Sequence, residues 1–165
     1  MQIIFLNEWL TIFLCFVLWA VLPTLLTFLC MNLPDRYFSP NRFFFRSHRW
    51  ENGGEVYNRL FRVKRWKHLL PDGAAVVKGG YKKKRLTDFS DSNLRKFLVE
   101  SCRAEMLHFL LIALFWVFGF FVPPNALFMM FLYALATNFP CVIVQRYNRP
   151  RIIALLAKKE TQKSA

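Results

Sequence analysis

Apolar residues in this 165-residue chain are gathered into long blocks rather than spread at helical or strand spacing. Residues 3–31 are almost wholly apolar, with Glu8 the one charge among them. Residues 108–122 and 126–144 are similar, divided by the break Pro123-Pro124-Asn125. A run of about 20 apolar residues is enough for a helix to cross the hydrocarbon core of a bilayer. The pattern therefore predicts transmembrane helices over 3–31, 108–122 and 126–144. The expected fold class is an all-α integral membrane protein, about three such helices with an amphipathic, basic cap. Pro23 is expected to kink the first, because proline removes a helix hydrogen bond.

Between the first two blocks the pattern changes. Residues 43–45 are three phenylalanines flanked by Arg42, Arg46 and Arg49, which reads as an interfacial segment with its apolar side in lipid. Glu51-Asn-Gly-Gly54 and Pro71-Asp72-Gly73 are turns. From 56 to 70, Tyr57, Leu60, Phe61, Trp66, Leu69 and Leu70 alternate with basic residues, as in an amphipathic helix or a short helical pair. A further helix is expected to start at Asp91-Ser-Asn-Leu94, capped by Asp91 or Ser92. It should run unbroken through Glu100, Arg103 and Glu105 to His108 and on into the membrane. Residues from Lys158 onward read as a disordered tail.

Charge sets the expected orientation. Of 23 Lys and Arg, none precedes Asn32, 17 lie in 32–107 and 6 in 145–165; the acidic residues divide as 1, 8 and 1 over the same regions. Lys and Arg accumulate in cytoplasmic loops, so the cap (32–107) and the tail (145–165) are expected on the cytoplasmic side. The run from Lys82 to Arg85 reads as a topology-setting charge that touches anionic lipid. The first block lacks a positive n-region and is too long for a cleaved leader, so it reads as a retained anchor. The formal charge of +13 would suit nucleic acid, but it flanks apolar blocks, and no nucleic-acid partner is expected. The whole chain, 1–165, reads as a single membrane-embedded domain in the cell membrane. Its four scattered cysteines read as small buried apolar groups.

Only His48, His68 and His108 are histidines, too few for the ligand set of a membrane di-iron desaturase or hydroxylase. There is no C-x-x-C pair, phosphate-binding loop or G-x-S-x-G elbow. No metal site and no cofactor are expected. Three constellations remain. His68 and Asp72 form H-x-x-x-D-G, a spacing at which several soluble acyltransferases place a general-base histidine and a structural aspartate. A neutral imidazole there takes the proton of an acceptor hydroxyl as it attacks a thioester, worth about 10²–10⁴ in rate. The plainer reading is an interfacial histidine beside a turn. Glu105 and His108 are three residues apart and share a helix face with Ser101 and Ile112. They are either a structural buried pair or a carboxylate-oriented base. Arg146, Arg149 and Arg151, with Arg65 and Lys67, are candidates for donor phosphates, since guanidinium binds phosphate bidentately. Topology and headgroup contact explain the same charges. Trp66, Asn138, Gln145 and Asn148 are the candidate substrate-pocket residues.

At these motifs the chain resembles the glycosyl-4,4'-diaponeurosporenoate acyltransferases. The resemblance is carried by Leu33-Pro-Asp-Arg-Tyr-Phe38, by Phe61-Arg-Val-Lys-Arg-Trp-Lys-His-Leu-Leu-Pro-Asp-Gly73, by Glu100 to His108, and by Val144-Gln-Arg-Tyr-Asn-Arg-Pro-Arg151. It implies a membrane-embedded enzyme that esterifies a glucose hydroxyl of a carotenoid glycolipid with a fatty acyl group, the last step of staphyloxanthin synthesis. The expected partners are membrane lipid, an acyl-CoA or acyl-carrier-protein donor, and a lipid-linked sugar acceptor met at the cytoplasmic side. His68 stands first as base, with Glu105 and His108 as the alternative pair. The rival reading is a non-catalytic basic adaptor that binds anionic lipid or a partner enzyme. A common cavity for the polar groups would favour the enzyme.

Overall fold

The first apolar block folds as α1, Glu8–Asn32, in a computed structural model that describes residues 2–70 and 88–164. Asn7 caps α1: its side-chain oxygen accepts from the Leu10 amide at 2.8 Å. Glu8 in the first turn suits the positive end of the helix dipole. Pro23 lies inside the helix. The Thr24 and Thr27 hydroxyls donate to the Ala20 and Pro23 carbonyls, both at 2.8 Å.

Two short helices follow, α2 (Glu55–Phe61) and α3 (Val63–Trp66), joined by Arg62 in the left-handed region at φ 51°. The amphipathic stretch is thus the helical-pair form of the expectation. A 3₁₀ turn, Lys67–Leu69, ends it. The turn at 71–73 and the basic run at 82–85 lie outside the described residues.

Helix α4, Asp91–Ala113, runs unbroken past Glu100, Glu105 and His108 as expected. Its cap is Ser90 rather than Asp91 or Ser92. The Ser90 hydroxyl accepts from the Asn93 amide at 3.4 Å, and Asp88 accepts the Ser90 amide at 2.7 Å. Asp91 is instead engaged by Lys159 at 3.0 Å and by Lys163. A one-residue interruption at Leu114 leads to α5, Phe115–Phe118.

The third block does not stop at 144. Helix α6, Pro124–Ser164, is 41 residues long, about 60 Å at 1.5 Å per residue. Pro124 stands in the first turn, where its missing N–H costs nothing. The tail from Lys158 is therefore helical. The reason is packing: Ile152, Leu155 and Leu156 close on Leu94 and Leu98, while Arg95 pairs with Glu160 at 2.6 Å and both Lys159 and Lys163 reach Asp91.

Among the described residues every regular element is helical. Three helices, α1, α4 with α5, and α6, are long and apolar enough to cross a membrane. By internal contacts the chain forms two units. One comprises Met1–Leu33 and Glu105–Val142, the other Pro34–Ala104 and Ile143–Ala165. The first has its core at Phe118, Phe121 and Val122, packed by Leu14, Leu18, Trp19 and Met130. Its leading segment is tied down where the Ile3 and Ile4 amides both donate to the Phe120 carbonyl at 2.9 Å. The second has apolar clusters around Val63, Ile143 and Tyr147 and around Leu94, Leu98 and Leu156.

Candidate active site

In the unit containing α1, polar side chains on the helices are scarce, so each placement carries information. His108 on α4 is half-buried, and its Nδ1 lies 2.9 Å from Asn138 Oδ1 on α6. The Asn138 amide is oriented by its other partners. Its Nδ2 stands 3.0 Å from the Ala134 carbonyl, which only accepts, and 3.1 Å from the Thr137 hydroxyl. Nδ2 is therefore the NH₂ group and Oδ1 the acceptor. Nδ1 of His108 must then carry a proton and donate it to Asn138. In the neutral form of that tautomer the other ring nitrogen is the basic one. Glu105, one helical turn earlier, is wholly buried. On Nδ1 the orienting group is an amide from a different helix, contributed by a residue that pattern alone placed in the substrate pocket.

Asn138 and Thr137 also line a cavity of about 170 Å³. Its other walls are apolar, from Leu18, Leu22, Leu111, Leu114 and Phe118, with Tyr133 and Trp19 at the side. Leu111 follows His108 by three residues and so shares its helix face. A second, longer groove of about 810 Å³ runs between α1 and the start of α6 and includes Trp19, Phe16, Ile12, Ala126 and Met130. Sequence pattern gave no signal for Trp19, because a helix apolar on every side does not mark one residue. The adjacent polar pair Thr137-Asn138 inside an apolar run was the available signal for the cavity.

The other unit disposes of its basic residues differently. Arg146 donates to the Phe44 carbonyl at 2.6 Å, to the Arg46 carbonyl at 3.2 Å and to Glu51 Oε1 at 3.2 Å. Glu51 is fully buried and also accepts from the Tyr57 hydroxyl at 2.7 Å and the His48 amide at 3.0 Å. Such a satisfied buried carboxylate is a structural node, and the turn Glu51–Gly54 concealed it in the sequence. Arg149, with no exposed surface, donates to the Phe45 carbonyl at 2.9 Å and to Ser101 Oγ at 3.3 Å. Arg151 reaches the Tyr147 carbonyl and Glu55 and lies over the Tyr147 ring at 3.6 Å. Arg103 on α4 is held likewise by Asp35 and Glu100. Phe45 is buried rather than interfacial, while Phe43 remains exposed.

Near these, Lys67 donates to Asn148 at 3.4 Å and stands over the Tyr147 ring at 5.1 Å. Burial, with Arg151 and Lys64 nearby, holds Lys67 below the usual lysine range. Arg65 and His68 are exposed, Gln145 is half-buried, and Trp66 donates its indole N–H to the Phe61 carbonyl at 2.6 Å. Asp72 lies outside the described residues. Among the described residues no group of three His, Cys, Asp or Glu side chains is arranged to hold a metal ion.

The profile of a family described as glycosyl-4,4'-diaponeurosporenoate acyltransferase matches residues 40–158. Proteins of that name from Staphylococcus aureus strains RF122 / ET3-1, MRSA252 and USA300 are each 32% identical to this chain over 146 residues. The match covers 88% of this chain and 88% of each of them. No protein of solved structure matches. The family match takes in both the polar node at Glu51 and the His108–Asn138 pair, and the chain belongs to the glycosyl-4,4'-diaponeurosporenoate acyltransferase family, a family of acyltransferases.

Proposed function

We propose that the chain is a membrane O-acyltransferase that moves a fatty acyl group from an activated thioester to a sugar hydroxyl of a glycolipid, with His108 as the base. The name of its relatives indicates a glycosylated carotenoid acid as the acceptor. The observation that carries the reading is the hydrogen bond from His108 Nδ1 to the Asn138 amide oxygen, whose orientation is set by the Ala134 carbonyl. Nε2 takes the proton of the acceptor hydroxyl as its oxygen attacks the thioester carbonyl. The tetrahedral intermediate collapses, the carbon–sulfur bond breaks, and the imidazolium returns its proton to the departing thiolate. Asn138 holds the ring through both transfers. Of the candidate polar groups, Asn138 lines the cavity, and its hydrogen bond brings His108 beside that wall.

His68, first in the sequence reading, becomes the second candidate, since it is exposed on a short 3₁₀ turn. Arg65 and Lys67 are the donor-phosphate contacts in this reading. A lysine whose charge is disfavoured by its surroundings gains most from an anionic group beside it. Arg146, Arg149 and Arg151 act as scaffold, because protein oxygens already engage their guanidinium groups. The helices α1, α4 with α5, and α6 cross the membrane, and the basic segments face the cytoplasm.

The test is His108→Ala against His68→Ala, purified and shown to be folded, with labelled acyl-CoA and a lipid extract from the host. His108→Ala should lose at least about 10²-fold in kcat, the size of a general-base contribution. His68→Ala should stay within a few-fold of the parent. The reverse order would move the base to His68, and near-normal rates in both would sink the acid–base mechanism.

A further inference from the structure

We propose that the cavity beside Asn138 seats the hydrocarbon next to the reacting carbonyl of the acyl group, and that Trp19 directs its tail into the longer groove; this rests on the acyl-transfer reading above.

The chemistry of the cavity selects its occupant. Five of its walls are leucine or phenylalanine side chains. Two of its polar side chains are already engaged, Asn138 by His108 and Ala134, and Thr137 by the Tyr133 carbonyl at 2.9 Å. A hexose there would leave its hydroxyls unpaired in an apolar wall, at a cost of about 1–3 kcal/mol for each. In a glycolipid acceptor the hexose stands between the reacting hydroxyl and the apolar tail. In the acyl donor the hydrocarbon begins directly at the carbonyl carbon. Of the two substrates, only the acyl group brings bare hydrocarbon right up to the base. The size agrees: an apolar cavity of about 150 Å³ takes a benzene-sized hydrocarbon, so about 170 Å³ holds a segment of similar size.

A longer chain must continue elsewhere. Trp19 is the residue common to the linings of the cavity and the groove of about 810 Å³. Its ring packs against Phe118, with centroids 5.4 Å apart, and against Tyr133 at 5.5 Å. Held between two rings, it acts as a wall around which the chain must bend. Ala126 lines the groove and not the cavity, so a bulky side chain there meets the tail alone.

The test uses equal octanoyl-CoA and palmitoyl-CoA in one reaction, with membrane lipid extract as acceptor and the two product esters counted by mass spectrometry. A product ratio does not depend on how much protein is folded. Ala126→Trp should lower the palmitoyl-to-octanoyl ratio about tenfold, the effect of displacing about two buried methylenes. Trp19→Ala, which joins cavity to groove, should raise it. Ratios equal to the parent's in both variants would overturn the proposal. So would an unchanged ratio with a raised KM for the acceptor, which would place the acceptor's tail in the groove. Failure of the transfer reading has a different signature, which is no ester from the parent enzyme with either donor.

Discussion

In the unit built from Met1–Leu33 and Glu105–Val142, a histidine and an asparagine from two helices meet in otherwise apolar surroundings. In the unit built from Pro34–Ala104 and Ile143–Ala165, arginines are plentiful and most of those that are buried end on carbonyls or carboxylates. The same kind of polar side chain therefore means different things in the two places. Where hydrogen-bonding groups are rare, a fixed pair is costly to bury. Where they are abundant, a conspicuous Arg-x-x-Arg-x-Arg run is the framework of the fold. Counting arginines as phosphate ligands, as the sequence invites, overlooks that guanidinium forks serve backbone oxygens equally well.

Removing one arginine is the largest expected perturbation of this contrast. Arg146→Met deletes a partner of the fully buried Glu51 and leaves two carbonyls without their donor. Breaking a buried pair in this way costs about 3–5 kcal/mol. Thermal unfolding in detergent should show a large drop for Arg146→Met, while the folded fraction keeps the parent's KM for acyl-CoA. If stability is unaltered and KM rises instead, Arg146 is a donor ligand after all and the contrast between the units fails.

The long apolar elements were legible from the sequence. Blocks of apolar residues long enough to span announced α1, α4 with α5, and the first half of α6. The extent of α6 beyond 144 was not, since Lys158, Lys159 and Lys163 read as a solvated tail until Asp91 and Leu94 are known to lie beside them. His108 and Asn138 were both candidates, but in separate sets. Their partnership spans 30 residues and depends on the packing of two helices, which no local pattern encodes. Glu51 was hidden in a turn that predicts exposure. It is engaged by Tyr57, six residues on, and by Arg146, 95 residues away along the chain.

A smaller effect tests how tightly the polar unit closes around that turn. Gly54 has φ +87°, and a Cβ there would lie 2.8 Å from the Tyr147 carbonyl oxygen. Gly53 has φ +60° with nothing within 4 Å. Both alanine variants bear the left-handed cost of about 1–2 kcal/mol, but Gly54→Ala must also push α6 backbone aside. Gly54→Ala should therefore unfold at lower temperature than Gly53→Ala. Equal losses would mean that the approach of the turn to Tyr147 is loose.

The smallest expected effect lies at the start of α4, where the polar unit uses a carboxylate on the surface rather than in its interior. Asp88 accepts the Ser90 amide at 2.7 Å and the Ser90 hydroxyl at 2.9 Å. These bonds favour the charged form and hold the Asp88 carboxyl below its usual range, with the Ser90 amide the larger influence. A carboxylate whose pKa is lower in the folded than in the unfolded chain binds fewer protons when folded. Its contribution to stability is then present above the unfolded value, near pH ~4, and is lost as pH falls through the lower folded value. Asp88→Asn removes that titration. Unfolding followed from neutral to acid pH should show the parent and Asp88→Asn converging at the acid end, the parent being slightly the more stable above it. Because Asp88 is exposed to solvent and salt, the difference should shrink as ionic strength rises. Parallel curves at every pH would show that the Ser90 cap stands without Asp88.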